Sequence, residues 1–254
     1  MKSRSEERLG GERMIPRDEF ERLFRGIGVE GDYDRFSLYC GLLQEWNQKM
    51  NLTAITDDEG VAVKHFADSV LPLTLCPVPA GAKVIDVGTG AGFPSIPMKL
   101  VRGDLELTLL DSLKKRLDFL RAVCRELEVT AELVHARAED GGREARYRES
   151  FDLAVSRAVA GLDLLAEYCL PLVRVGGLFL ALKGSGGREE AAAGAQAVAL
   201  CGGAIQEIKD YSLPNGDKRT LIIIEKVLAT PPRYPRPPQK IKKEGPLPSP
   251  ALRA

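Results

Sequence analysis

Residues 83–94 read Lys83-Val84-Ile85-Asp86-Val87-Gly88-Thr89-Gly90-Ala91-Gly92-Phe93-Pro94, and this stretch decides the fold. The mostly apolar run Val84–Val87, bounded by Gly81 and Gly88, reads as a buried parallel strand. Three glycines at alternate positions follow, and Pro94 then opens a segment, 95–101, that can start a helix, because proline is tolerated in a first helical turn. Strand, glycine turn and helix is the way an α/β sheet approaches a nucleotide-like ligand closely. Glycine permits positive φ and removes the side chains that would block the ligand.

Spacing selects the ligand class. A dinucleotide fingerprint, G-x-G-x-x-G, needs glycine at position 93, which is Phe93; the third glycine comes one residue early, at Gly92. The pattern D-x-G-x-G-x-G resembles the first motif of S-adenosylmethionine-dependent methyltransferases. That ligand has no pyrophosphate to seat on a helix N-terminus, so the phosphate-cradling geometry is not required. The competing reading is a tight strand-to-helix turn with no ligand.

Working outward, 254 residues permit one large domain or one and a half. A hydrophobic fraction of 44% and a charged fraction of 28% are ordinary for a globular protein. Net charge is zero, so any nucleic-acid contact must come from local patches. Cys40, Cys76, Cys124, Cys169 and Cys201 are scattered, odd in number and contain no C-x-x-C. They read as reduced thiols of a cytoplasmic protein, not as a disulfide framework or zinc site. His65 and His135 are the only histidines, which argues against a His-rich metal centre. No apolar run approaches the roughly 18 residues of a membrane span, and the N-terminus lacks the apolar core of a signal peptide.

Residues 1–17 are charged and of mixed sign and read as disordered; Met14 is a second candidate start. Residues 18–80 read as an N-terminal helical extension. Its first helix carries Phe20, Leu23 and Phe24, and its second, from about Tyr33 to Met50, carries a stripe of Phe36, Tyr39, Leu43, Trp46 and Met50. Its third is capped by Thr56, with Glu59 reaching back, and runs to about Leu71. Residues 81–228 alternate strands and helices, which implies a mostly parallel sheet with right-handed crossovers. Further strands are expected at 105–110, 130–135, 151–156 and 177–183. The last two, 204–212 and 220–227, are joined by the turn Pro214-Asn215-Gly216-Asp217. Ser112 reads as N-cap of a helix to Leu127, and Arg137–Arg148 as a solvated loop. Residues 229–254 are a Pro-rich tail; from Pro231 onward it carries a net charge of +5. Its prolines favour extended, solvated backbone. The tail reads either as a solubilising appendage or as an RNA-tracking arm using Arg233 and Arg236.

Ligands of open α/β sheets bind beyond the carboxyl ends of the strands, so those ends outline the site. The first gives Asp86, Gly88 and Gly90. The second gives Asp111 and Ser112, with Asp111 suited to a ribose diol or, alternatively, to helix capping. Arg137-Ala138-Glu139 suits an adenine edge or a polar turn. Arg157 ends the fourth strand, as a cleft residue or as a salt bridge to Asp86 or Glu139. Lys183 ends the fifth, at the cleft rim or as a solvated charge. His65 and Asp68 share a helix face at i, i+3, as a helix-docking pair or as a substrate contact. Trp46 reads as core.

Taken together, Trp46-Asn47, Asn51-Leu52-Thr53, His65-x-x-Asp68-Ser69, the glycine stretch, Leu110-Asp111-Ser112-x-x-Lys115-Arg116, Ser156-Arg157-Ala158 and Leu182-Lys183-Gly184 resemble one family. It is RsmG, also called the glucose-inhibited division protein B family, whose members methylate N7 of a guanine in small-subunit (16S) ribosomal RNA. The resemblance spans roughly residues 18–226. It implies a Rossmann-like class I methyltransferase with a seven-stranded sheet, S-adenosylmethionine as cofactor and S-adenosylhomocysteine as product. It implies no metal, a partner in ribosomal RNA or the small ribosomal subunit, no membrane, and a monomer. Implied cofactor contacts are Gly88, Phe93, Ala138, Glu139 and Arg157. Guanine N7 carries a lone pair and no proton, so no catalytic base is expected. A different nucleotide-binding oxidoreductase, a methyltransferase for another RNA and a non-catalytic RNA-binding protein of the same fold are the alternatives.

Overall fold

A computed structural model of the chain describes residues 14–248. The expected disorder of residues 1–13 lies outside them, but Met14 and Ile15 are buried in the core, so the charged leader does not extend to residue 17.

Seven strands form one sheet in the order β3-β2-β1-β4-β5-β7-β6. They are β1 (Lys83–Val87), β2 (Glu106–Asp111), β3 (Ala131–His135), β4 (Phe151–Arg157), β5 (Val173–Lys183), β6 (Gly203–Ser212) and β7 (Lys218–Lys226). The first five are mutually parallel, and β7 pairs antiparallel with both β5 and β6. The strand order reverses direction at β1 and β4, which are adjacent, and this switch point is where open α/β sheets bind ligands.

Period-2 alternation divides the two faces. Val84 enters one core and Ile85 the other. The first core is covered by α6 (Ser95–Val101), α7 (Lys114–Glu126) and the N-terminal helices α1 (Arg17–Gly26) and α2 (Tyr33–Met50). Phe20, Phe24, Phe36 and Phe66 pack edge-on, tilted or stacked at 4.1–5.4 Å between ring centroids. They belong to the same core as Val84 and Leu107, so the helical extension seals one sheet face. Deleting the Phe36 ring would cost roughly 3–5 kcal/mol. Trp46 packs on Phe119 at its edge. The second core is covered by α9 (Leu162–Cys169) and α10 (Gly187–Leu200).

Several local expectations change. The helical run over 58–75 is capped by Asp57, whose Oδ1 accepts from Gly60 N at 2.7 Å, and not by Thr56. It passes through α3 (Asp58–Gly60), a π-helical turn (Val61–Ala67) and α4 (Asp68–Val70), and continues past Pro72 as α5 (Pro72–Leu75), with proline in the first turn. Ser112 caps nothing; α7 starts after Leu113, whose N–H is taken by Asp111 Oδ1 at 2.8 Å. The expected loop at 137–148 contains α8 (Ala138–Gly141). Among its described residues, 229–248, the tail is not an extended, solvated arm. Tyr234 and Leu247 enter the second core, and α11 (Pro238–Glu244) forms because Pro238 stands at its first position, where the missing N–H has no partner to lose.

Candidate active site

The carboxyl ends of β1, β2 and β4 surround a cavity of about 500 Å³. Its floor is the glycine loop. Gly88 N and Thr89 N donate to Leu110 O at 2.9 and 3.2 Å, and Gly90 N donates to Asp111 Oδ2 at 3.0 Å. The loop is thereby fastened to the end of β2. Gly88 and Gly90 adopt φ of +73° and +59°, a region that L side chains disfavour. A Cβ on Gly90 would point into nearly open space, its nearest neighbour Gly88 O at 3.9 Å. A Cβ on Gly92 would instead strike Tyr39 and Ile96, so the third glycine serves packing behind the loop.

Asp86 does not line the cavity. It is fully buried behind the loop, where Oδ2 accepts from Thr89 Oγ1 at 2.9 Å and Ser95 Oγ at 2.6 Å. Its Oδ1 has no hydrogen-bond partner among the described residues, and burial pushes its carboxyl up to about 7. Asp86 therefore holds the loop's shape and does not touch a ligand in the cavity. Asp111, Ser112, Ala138, Glu139, Phe93 and Arg157 all line it. Asp111 is 2% exposed and also receives Arg116 Nη1 at 3.3 Å.

Arg157 lines the cleft, as one of its two expected readings had it, but its ion pair is a different one. Its salt-bridge partner is Asp68, at 3.4 Å, and not Asp86 or Glu139. The guanidinium also donates to the carbonyls of Lys64 and His65 and sits 5.0 Å over the Phe93 ring. The His65 ring lies parallel to Phe93 at 4.6 Å. Its Nδ1 faces Arg157 Nη2 at 3.3 Å; since arginine only donates, Nδ1 accepts, and Nε2–H donates to Thr53 Oγ1 at 2.8 Å. Burial and the Arg157 cation push His65 down to about 3. The imidazole is neutral at physiological pH.

A second cavity of about 560 Å³ adjoins the first and shares His65, Arg157, Ala158 and Val159 with it. It adds Lys64, Lys183 and Arg219. Lys183 is no solvated strand end: it is 7% exposed and bound to Glu190 Oε2 at 2.6 Å and Ala160 O at 2.5 Å. Arg219 also binds Asp68, so Asp68 bridges two arginines. Ala158, at the boundary, has φ of +56°, a strained conformation for a residue with a Cβ. Of the two tail residues expected at RNA, Arg233 is exposed, whereas Arg236 is buried and paired with Glu167 at 2.7 Å, out of reach of any RNA. No group of three or more metal-ligating side chains occurs among the described residues.

The family profile GidB, rRNA small subunit methyltransferase G, matches residues 32–221. The chain belongs to this family. Relatives in it include the Ribosomal RNA small subunit methyltransferase G of Clostridium botulinum strain 657, 46% identical over 213 residues, covering 83% of this chain and 89% of that protein. The protein of the same name from Acetivibrio thermocellus is 49% identical over 218 residues, covering 83% and 88%. Solved structures show the class I methyltransferase fold. A methyltransferase from Pyrococcus furiosus superposes with a TM-score of 0.53 at 14% identity, covering 78% of this chain and all of that one. Aeropyrum pernix fibrillarin with natively bound S-adenosyl-L-methionine gives 0.50 at 15%, covering 62% and 73%. GidB membership decides against the nicotinamide oxidoreductase.

Strand-end reasoning missed Leu52, Thr53, Val159 and Tyr168 of the first cavity and Arg219 and Glu190 of the second. Leu52 and Thr53 carried a signal, as part of the Asn51-Leu52-Thr53 motif. Arg219 carried none, because it reaches the site only through the antiparallel pairing of β7 with β5.

Proposed function

We propose that this GidB-family chain transfers the methyl group of S-adenosylmethionine to N7 of a guanine in the decoding-region loop of small-subunit (16S) ribosomal RNA. The observation that carries this reading is the Asp111–Gly90 fastening, which holds a bare-backbone loop open onto a cavity that adjoins a second, cation-lined one. The residues fit the cofactor. Gly90 leaves space that a side chain would fill, and Asp111 keeps one lone-pair site, on Oδ1, for a ribose hydroxyl beyond the three taken by Gly90, Leu113 and Arg116; the partly exposed Arg116 contact, at 3.3 Å, is the one a second hydroxyl would displace. Gly88, Phe93, Ser112, Ala138 and Glu139 complete the contacts. When bound, S-adenosylmethionine supplies an electrophilic methyl on a positively charged sulfur.

The chain's own work is alignment. Guanine N7 is an exposed acceptor with a lone pair, so no residue has to remove a proton. Neutral His65 and Arg157 border both cavities and Lys183 lines the second, where they would hold a base taken out of its stack. In-line placement of the two reactants is the main source of rate. The protein works as a monomer, in the cytoplasm where ribosomes are; none of its described helices is long and apolar enough to cross a membrane.

The test uses purified protein, S-adenosylmethionine with an isotopically labelled methyl, and small subunits from cells lacking this gene. Nuclease digestion and mass spectrometry should find the label in 7-methylguanosine at a single position. Label in another nucleotide, or none, would overturn the reading.

A further inference from the structure

The C-terminal strap, residues 228–248, is tied down by buried charges. Arg236 Nε and Nη2 grip the Glu167 carboxylate at 2.9 and 2.7 Å, and the backbone N–H of Arg236 adds a third bond at 2.6 Å. Glu167 is fully buried. Arg148 donates to the carbonyls of Thr230, Tyr234 and Gly142, and Lys226, also fully buried, binds Glu149 at 3.0 Å and Thr230 Oγ1 at 2.7 Å. A buried ion pair adds little net stability over an apolar pair of the same volume, but it specifies one arrangement. Here the arrangement it specifies is the placement of α11 against α8.

Between those helices lies a third cavity, of about 660 Å³, bordered by Arg137, Arg143, Tyr168, Gln239 and Lys242. Arg137 and Tyr168 also line the first cavity, so the two adjoin. Arg137, Arg143, Arg233, Lys242 and Lys243 are exposed and have no carboxylate partner within 4.0 Å among the described residues. Three of them, Arg137, Arg143 and Lys242, line the cavity, against one exposed acid there, Asp140, since Glu139 is buried. In a chain with no net charge, such a local surplus is where a polyanion can be attracted. Cations around an aromatic side chain are the pattern that binds single-stranded nucleic acid, phosphates on the cations and a base against the ring.

We propose that α8 and the clasped strap form a pre-organised surface for a single-stranded segment of ribosomal RNA, on the far side of the cofactor cavity from the second cavity's Lys183 and Arg219. Arg137, Arg143 and Lys242 contact phosphates, and Tyr168 offers its ring. The clasp removes the ordering cost that a free tail would meet on binding. This inference rests on the ribosomal-RNA reading above.

The test is the full-length double variant Arg143→Glu/Lys242→Glu, both exposed side chains. S-adenosylmethionine affinity is measured by calorimetry, and small-subunit RNA binding across about 50–300 mM salt. Cofactor affinity should stay within about twofold. RNA affinity should fall roughly tenfold or more near 0.1 M salt, and the slope of log affinity against log salt should flatten by about 1.4–1.8 for two lost phosphate contacts. The control Arg25→Glu/Lys49→Glu, with the same charge change elsewhere, should leave the slope in place. An unchanged slope in the first variant, or an equal loss in the control, would overturn the surface. Loss of cofactor affinity with intact RNA binding would assign the cavity to the cofactor and overturn it too. Wild-type protein that binds no ribosomal RNA would remove the underlying reading instead.

Discussion

Asp111 Oδ2 accepts the backbone N–H of Gly90 at 3.0 Å, so the carboxylate that ends β2 and the glycine loop that ends β1 are one unit. Removing the carboxylate costs a ligand contact and releases the loop. Asp111→Ala should weaken S-adenosylmethionine binding by roughly tenfold to a hundredfold, the loss of a charge-assisted bond worth about 1.5–3 kcal/mol. Asp111→Asn, whose amide oxygen still accepts from Gly90, should lose less. Calorimetry giving equal affinities for all three proteins would take Asp111 out of the site.

Gly90 is the cleaner place to block the cavity. A Cβ on Gly88 would approach Val159 Cγ2 to 2.7 Å, so a substitution there also disturbs the segment after β4. Gly90→Val meets no such obstacle, and its left-handed backbone costs about 1–2 kcal/mol. Circular dichroism should be preserved while cofactor binding falls at least tenfold. Normal binding would show that the loop does not face the ligand.

With His65 held at about 3, no imidazole titrates near neutrality at the site. Single-turnover methylation at saturating substrates should be nearly flat from about pH 6 to 8.5. Cofactor affinity itself should rise across neutrality, as Asp86, pushed up to about 7, becomes an anion that favours a cationic ligand. A steep log-linear rise of the saturated rate would mean that a base acts. Because the folded His65 pKa is depressed, the unfolded chain takes up the extra proton first. Wild type should therefore lose stability relative to His65→Gln as pH falls from about 6.5 to about 3.

Arg157 serves both cavities with a planar fork that lysine cannot copy. Arg157→Lys should lower the saturated methyl-transfer rate by tenfold or more. Asp68 keeps Arg219 as a partner, so melting should shift by only a few degrees. A wild-type rate would reduce Arg157 to a structural role.

The clasp makes its own prediction. Glu167→Gln leaves Arg236 with only the partly exposed Glu244 as counter-charge and should cost up to about 3–5 kcal/mol. That corresponds to a melting shift of roughly 6–20 °C for a chain of this size. Glu167→Leu/Arg236→Met should recover much of it. A single variant as stable as wild type would mean that the strap is not held there. For the same reason, truncation after Lys226 is a poor probe of RNA binding, because it strands Glu167 in the core.

What the sequence alone determined is local. The β1–loop–α6 unit, the cavity-lining end of β2 and the residues 137–139 after β3 were legible because each is written within one strand and its following turn. There alternation, glycine and proline act over a few residues. That the strands from β1 to β5 run parallel followed from the alternation of strands and helices, and family motifs added Thr53 and His65.

Tertiary structure alone decided how charges pair across the chain. Arg157 finds Asp68 across 89 positions, Arg219 reaches the same carboxylate across 151, and Arg236 finds Glu167 across 69. Such partners depend on which elements the folded sheet brings edge to edge, and no short-range pattern encodes that. The strap shows the difference most clearly. Its prolines and lysines describe a solvated arm by composition, yet Tyr234, Arg236 and Leu247 are buried, because α9 and the second core offer them an apolar surface and a matching carboxylate.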